Sequence, residues 1–132
     1  MPITDTSWLF ALLDELDGHH GEAVEQAKTA DRLVVPAQVL AELLQLIHYR
    51  VRKLAGESEA HRTARQTLVD LESTSTVVLL ESQDTRLVSA IYRRHSTLSY
   101  VDAVAIAAAL NGGGLLSFDR AQKAALAKEK KL

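Results

Sequence analysis

The 132-residue chain contains no cysteine. That rules out disulfides, thiolate-ligated zinc, iron–sulfur clusters and thiol catalysis, and it fits a cytoplasmic protein. No apolar run reaches the ~18 residues that a membrane-spanning helix needs. The N-terminus has no basic region followed by a long apolar stretch, so no signal peptide is expected. Nor is there an excess of positive charge. Fifteen Lys and Arg against seventeen Asp and Glu leave a net charge of −2, which argues against a globally basic nucleic-acid binder. The basic residues do bunch, at Arg50, Arg52 and Lys53, at Arg93 and Arg94, and at Lys123, Lys128, Lys130 and Lys131. The field depends on such distribution as well as on the sum, although a solvated surface is the plainer reading of each bunch. What is present is ordinary for a globular protein: 47% hydrophobic and 24% charged residues. The length predicts one domain over residues 1–132, able to bury roughly two thirds of its unfolded surface.

Short apolar runs alternate with helical patterns. Pro2-Ile3-Thr4, Leu33-Val34-Val35, Val77-Val78-Leu79-Leu80 and Leu115-Leu116-Ser117 read as strands. Between them, Trp8 to Leu13 reads as a buried helix broken at Asp17-Gly18, and Gly21 to Ala30 as a second. Pro36 suits the first turn of a third helix, since its missing N–H is not needed there. That helix is the clearest in the chain, with Leu40, Leu43, Leu44, Ile47, Val51 and Leu54 on one face and Gly56 at its end. Glu57 to Leu71 follows, with Ser82 as N-cap of a helix to about Arg94, Ser99 as cap of an apolar helix, and a last helix from Arg120 to Lys128. This order predicts an α/β fold with a parallel sheet. No internal repeat or low-complexity segment interrupts it.

Four acids stand out. Asp5 follows the first strand and Asp119 the fourth. Glu42 lies inside the clearest helix among apolar neighbours, Val39 and Leu46. Asp102 interrupts an otherwise apolar segment, Val101 to Leu110. Three of them also read as helix caps: Asp5 before Thr6, Asp102 in a capping box with Ser99, and Asp119 with Gln122 at the box position. Parallel α/β sheets bind ligands at the carboxyl ends of their strands, and the four acids can meet at that end. Four carboxylates in one cleft repel unless some are protonated or a hard cation lies among them. Oxygen-only ligation suits Mg²⁺ or Mn²⁺, ions that activate water against phosphodiesters.

With these residues in view the sequence resembles the PIN-domain family, and within it the short VapC-type toxins of prokaryotic toxin–antitoxin pairs. The resemblance spans nearly the whole chain. It rests on Thr4-Asp5-Thr6-Ser7, Val34-Val35-Pro36 leading to Val39-Leu40-Ala41-Glu42-Leu43, Leu98-Ser99-Tyr100-Val101-Asp102-Ala103, and Leu115-Leu116-Ser117-Phe118-Asp119-Arg120. It implies a PIN-like three-layer α/β/α sandwich around a short, mostly parallel sheet of four or five strands. It also implies a Mg²⁺- or Mn²⁺-dependent endoribonuclease, the toxin of a type II pair, hydrolysing RNA by metal-activated water. Asp5, Glu42, Asp102 and Asp119 would be the catalytic and metal-binding residues. Thr6 and Ser117 would orient carboxylates or water. Partners would be RNA, a cognate antitoxin and a second copy of the chain, the dimer forming through the helices between Val35 and Leu71. Three places depart from the family pattern: Thr4 stands where an aliphatic residue is common, Ala121 where some relatives have a further acid, and Lys128 to Leu132 is too short and charged for a firm fifth strand.

Two rival readings remain. One is a catalytically inactive PIN-like module for RNA binding or protein assembly, whose mark would be a lost acid. The other is a phosphatase or phosphotransfer domain with Asp5 as nucleophile, against which Ser7 stands where a second Asp would be required. Other signals point to structure. His19, His20, His48, His61 and His95 lack zinc-ligand spacing and read as ordinary surface or core histidines. Gly112-Gly113-Gly114 lacks a phosphate loop's Gly-Lys-Ser/Thr ending and reads as a helix stop and turn. Ser7 has no nucleophile-elbow context. Trp8 reads as core. Tyr49 and Tyr92, beside Arg50 and Arg93, could line an RNA path, but packing is the preferred reading.

Overall fold

A computed structural model describes residues 1–80 and 84–132. Eleven elements follow in chain order: β1 (Ile3–Thr4), α1 (Thr6–Leu13), α2 (His20–Thr29), β2 (Leu33–Pro36), α3 (Ala37–Ala55), α4 (Glu57–Ser73), β3 (Val77–Leu80), α5 (Thr85–Arg94), α6 (Tyr100–Leu110), β4 (Leu115–Leu116) and α7 (Arg120–Glu129). The four strands form one sheet in the order β3-β2-β1-β4, with every pairing parallel. Helices α1 to α4 pack on one another, as do α5 to α7, so the sheet lies between two helical layers. This is the three-layer architecture that the resemblance implied, with four strands among the described residues. The chain ends in α7 and a turn.

The central strands are β1 and β2, and they are buried because apolar side chains occupy both their faces. Ile3, Leu33, Val34 and Val35 are all in the core, with Trp8, Leu9, Val39, Leu43, Ile91 and Ile106 packed around them. Parallel sheets covered on both faces need such continuous apolar runs. Thr4, the polar residue of β1, is also fully buried. Its hydroxyl donates to the Val34 carbonyl at 3.0 Å, so a polar side chain adds a link between β1 and β2. Helix α6 is buried on every side from Ala103 to Ala109, as an almost wholly apolar helix must be. Trp8 is core, as expected, and its indole N–H donates to Gln26 Oε1 at 2.7 Å.

Some boundaries differ from the sequence reading. Pro36 closes β2 and is the N-cap of α3 rather than a first-turn residue, with an extended backbone at φ −61°, ψ 145°. The N-cap of α5 is Asp84, whose carboxylate accepts from the Arg86 and Leu87 N–H groups. Ser82, expected as that cap, lies outside the described residues. The glycine turn after α6 is confirmed and sterically required. Gly113 has φ +68°, and a Cβ there would meet the Met1 carbonyl oxygen at 1.7 Å. Tyr49 and Tyr92 correct the packing expectation, since they are 47% and 44% exposed. Tyr49 lies under Lys53 and Arg52, and Tyr92 meets Tyr100 edge to face at 5.6 Å.

Sheet order decides where a ligand can go. From β1 the chain steps outward to β2 and then β3, and returns to the opposite side of β1 as β4. The direction of winding therefore reverses between β1 and β4. At such a switch point the loops leaving two adjacent strands diverge and open a crevice at their carboxyl ends.

Candidate metal centre

Asp5 leaves β1 and Ser117-Phe118-Asp119 leaves β4, so both stand at that switch point. Asp5 is 4% exposed. It is the N-cap of α1, accepting from the Trp8 N–H at 2.8 Å, with the Ser7 hydroxyl at 2.9 Å from one oxygen and 3.1 Å from the other. Between the ends of β1 and β4, Ser117 Oγ lies 2.6 Å from Asp5 Oδ2, joining residues 112 positions apart. Burial raises the Asp5 pKa above the usual carboxylate value. The Ser117, Trp8 and Ser7 hydrogen bonds pull it down in part, and the nearby Asp102 charge pushes it up again.

Asp102 and Asp119 are half-buried and both are caps, as their sequence contexts suggested. Ser99 and Asp102 form a reciprocal capping box at the start of α6, in which Asp102 Oδ2 accepts from the Ser99 N–H at 3.0 Å. Asp119 caps α7, and its Oδ1 accepts from the Gln122 N–H at 3.1 Å. Capping occupies only one oxygen of each. Asp102 Oδ1 and Asp119 Oδ2 have no hydrogen-bond partner among the described residues. One carboxylate can thus hold a helix end with one oxygen and offer the other to a ligand. Three helix N-termini meet their acids in this region, and their positive ends offset part of the mutual repulsion.

Gln122 is a member that the sequence reading named only as a capping-box position. It is fully buried. Its Oε1 lies 2.7 Å from Ser117 Oγ, and its Nε2 donates to the Asp102 carbonyl at 3.3 Å. Ser117 also accepts from the Asp119 N–H at 3.0 Å. Ser117 and Gln122 therefore tie all three aspartates into one network. The serine hydroxyl carries a single hydrogen, yet it faces two oxygens at 2.6 and 2.7 Å. That hydrogen serves either the Asp5 carboxylate or the Gln122 side-chain carbonyl, while the Gln122 amide N–H donates to the Asp102 carbonyl. A buried amide far from helix periodicity's usual apolar pattern, with Asp119 three residues before it, was the available sequence signal.

Glu42 is half-buried in the second turn of α3, which starts at the carboxyl end of β2. The topology puts it at the same edge of the sheet, but it shares no hydrogen bond with the three aspartates among the described residues. Thr6 is buried next to Asp5, and its Oγ1 has no hydrogen-bond partner among the described residues. None of Asp5, Glu42, Asp102 and Asp119 forms an ion pair with a basic side chain among the described residues. The acids do not close into a tight cage: among the described residues the one group of three such ligands with atoms mutually within 4.8 Å lies elsewhere, on α3 and α4. An open arrangement of oxygen donors still fits a small hard dication, which keeps several waters and takes only one or two carboxylates directly. The unpartnered oxygens of Asp102, Asp119 and Thr6 fit that role.

A parallel α/β sandwich with acids at the carboxyl edge of its sheet defines the class, a fold built to present ligands at a switch point. The chain belongs to the PIN domain family, whose model matches residues 3–127. Among solved structures it is similar in fold to Mycobacterium tuberculosis VapC20, a toxin that cleaves the sarcin–ricin loop. The two are 24% identical, superpose with a TM-score of 0.68, and the match covers 95% of each chain. No curated protein gives a significant sequence match.

Proposed function

We propose that this protein is a Mg²⁺- or Mn²⁺-dependent endoribonuclease, the toxin of a type II toxin–antitoxin pair. The observation that carries the reading is the network at the switch point: a buried Asp5, joined through Ser117 and Gln122 to Asp102 and Asp119, with no basic partner among the described residues. PIN-family membership and the fold of VapC20 support nuclease activity. Asp5, Asp102, Asp119 and Glu42 would hold the ion. Held by those residues, a divalent cation would supply positive charge for the phosphoryl oxygens and a more acidic water. The chain's own part is to fix the donors. The Trp8 N–H and the Ser7 and Ser117 hydroxyls hold the Asp5 carboxylate, while the capping bonds hold Asp102 and Asp119 by one oxygen each and leave the other without a hydrogen-bond partner among the described residues. Arg120 and Lys123, exposed in the first turn of α7 beside Asp119, are placed to meet substrate phosphates. Arg94 is not free for that work, since it is paired with Glu129.

An antitoxin basic side chain would supply the missing cation and so inhibit. A homodimer through α3 and α4 is supported by Leu54 and Val69, which are 89% and 52% exposed there. The deciding experiment incubates untagged protein with total RNA and with a sarcin–ricin-loop oligonucleotide, with and without Mg²⁺ or Mn²⁺. Metal-dependent cleavage that disappears in Asp102→Asn supports the reading. RNA binding without cleavage under any of these conditions would replace it with the inactive assembly module.

A further inference from the structure

The histidines with no ligand spacing in the sequence acquire it in the fold. Helices α3 and α4 are joined by Gly56 alone, at φ +91° and ψ 173°, a backbone conformation that favours glycine. This sharp link folds the start of α4 back along the last turns of α3. Glu57 and His61, four residues apart, share one face of α4. Opposite them, on α3, stands His48. His48 Nε2 lies 3.0 Å and His61 Nε2 3.1 Å from the same oxygen, Glu57 Oε1. The two rings meet edge to face at 4.6 Å and 70°, with both Nε2 atoms against Glu57 Oε1. Arg52 Nε lies 4.0 Å from the other carboxylate oxygen, Glu57 Oε2, a long ion pair without a hydrogen bond.

We propose that His48, Glu57 and His61 form a transition-metal site, separate from the acids at the sheet edge and selective for a borderline ion of the Zn²⁺ class. The donor set is two imidazole nitrogens and one carboxylate oxygen, a combination that suits Zn²⁺ and its neighbours rather than Mg²⁺. With bonds of about 2.0–2.1 Å at tetrahedral angles, ligand atoms stand about 3.3 Å apart. The two nitrogen–oxygen separations need to open by only a few tenths of an ångström. His48 is six residues beyond Glu42 on α3, about 9 Å along the axis and about 120° around it. The two sites therefore face different directions, and the inference stands independently of the proposed nuclease activity. Three protein ligands leave a fourth position for water or an outside ligand, and the bound ion would clip α3 to α4 next to Gly56.

The test uses full-length, tag-free protein stripped with chelator. Zn²⁺ is titrated by calorimetry, and Co²⁺ is followed by its visible ligand-field absorption. The expected result is one Zn²⁺ per chain with micromolar or tighter affinity and a tetrahedral Co²⁺ spectrum. Affinity should fall at least tenfold in His48→Ala, His61→Ala and Glu57→Gln, and stay unchanged in Asp5→Asn and with excess Mg²⁺. Glu57 and His61 are about half exposed, so their variants are expected to fold, which far-ultraviolet circular dichroism verifies. Absent Zn²⁺ binding, an affinity unchanged in the two histidine variants, or one lost in Asp5→Asn would overturn the proposal; in the last case the acids at the sheet edge hold the ion.

Discussion

Asp5 and Glu129 are both buried carboxylates, 4% and 7% exposed, but burial has opposite results for them. Glu129, at the end of α7, has its cations built in. Arg94 at the end of α5 donates to both its oxygens, and His95 Nε2 lies 2.8 Å away. The Arg94 guanidinium holds the Glu129 carboxyl below its usual range, outweighing burial, and His95 adds to this. Asp5 receives only neutral donors and has the charge of Asp102 nearby, so burial prevails and its pKa rises. The first arrangement is a finished clasp between α5 and α7. The second is an unfinished one, and a fold that keeps a buried acid without its counter-ion leaves room for a cation from outside.

The comparison can be broken at four points, taken from the largest effect to the smallest. Asp102→Asn keeps the capping geometry but removes a charge from the edge of the sheet, and should cut RNA cleavage about 100-fold or more with an unchanged circular-dichroism spectrum. Cleavage at the wild-type rate would remove Asp102 from the site. Gln122→Leu leaves Ser117 without its acceptor and the Asp102 carbonyl without its donor; cleavage should drop roughly tenfold and more Mg²⁺ should be needed for half-maximal rate. A rate loss with no change in Mg²⁺ requirement would reduce Gln122 to a packing role.

Stability measurements give the other two. Glu129→Gln breaks the finished clasp and should lower Tm by roughly 5 °C at neutral pH. Because the Glu129 pKa is depressed, its contribution is present above the ordinary value of 4.5 and is lost as pH falls through the folded-state value. Asp5 works in the reverse sense. Its folded-state pKa is raised, so the metal-free protein favours the protonated acid and loses stability as pH rises from the ordinary 3.8 through the raised value. Asp5→Asn should therefore leave metal-free Tm at pH 7 unchanged or a few degrees higher, flatten its pH dependence, and abolish the rise in Tm expected for the wild type with Mg²⁺. A drop in metal-free Tm for this variant, measured by calorimetry, would mean that ionised Asp5 stabilises the fold.

The sequence and structure part company at particular residues. The Val77–Leu80 strand, the long α3 and the caps Asp5, Ser99 and Asp119 were legible because each depends on neighbours within one or two turns. The cap and ligand readings do not exclude one another for Asp102 and Asp119, because the cap uses one oxygen of each carboxylate and the other has no hydrogen-bond partner among the described residues. Ser117 was legible as a hydroxyl beside an acid, but its bond to Asp5 crosses from β4 to β1. The pairing of Arg94 with Glu129 and the meeting of His48 with His61 were not legible. Both join separate helices, and one reassigns a basic residue that the charge pattern had grouped with Arg93 as a surface bunch.

By itself, then, the sequence determined the fold class, the alternation of strands and helices, and the four acids. These follow from local periodicity, side-chain burial preference and capping chemistry, which act over a few residues. Tertiary structure alone decided the strand order β3-β2-β1-β4 and hence the switch point beside Asp5. It also decided which buried carboxylate found a cation and which did not. The reason is physical: the pKa of an acid depends on burial and on the charges around it, and those charges come from parts of the chain that only folding brings together.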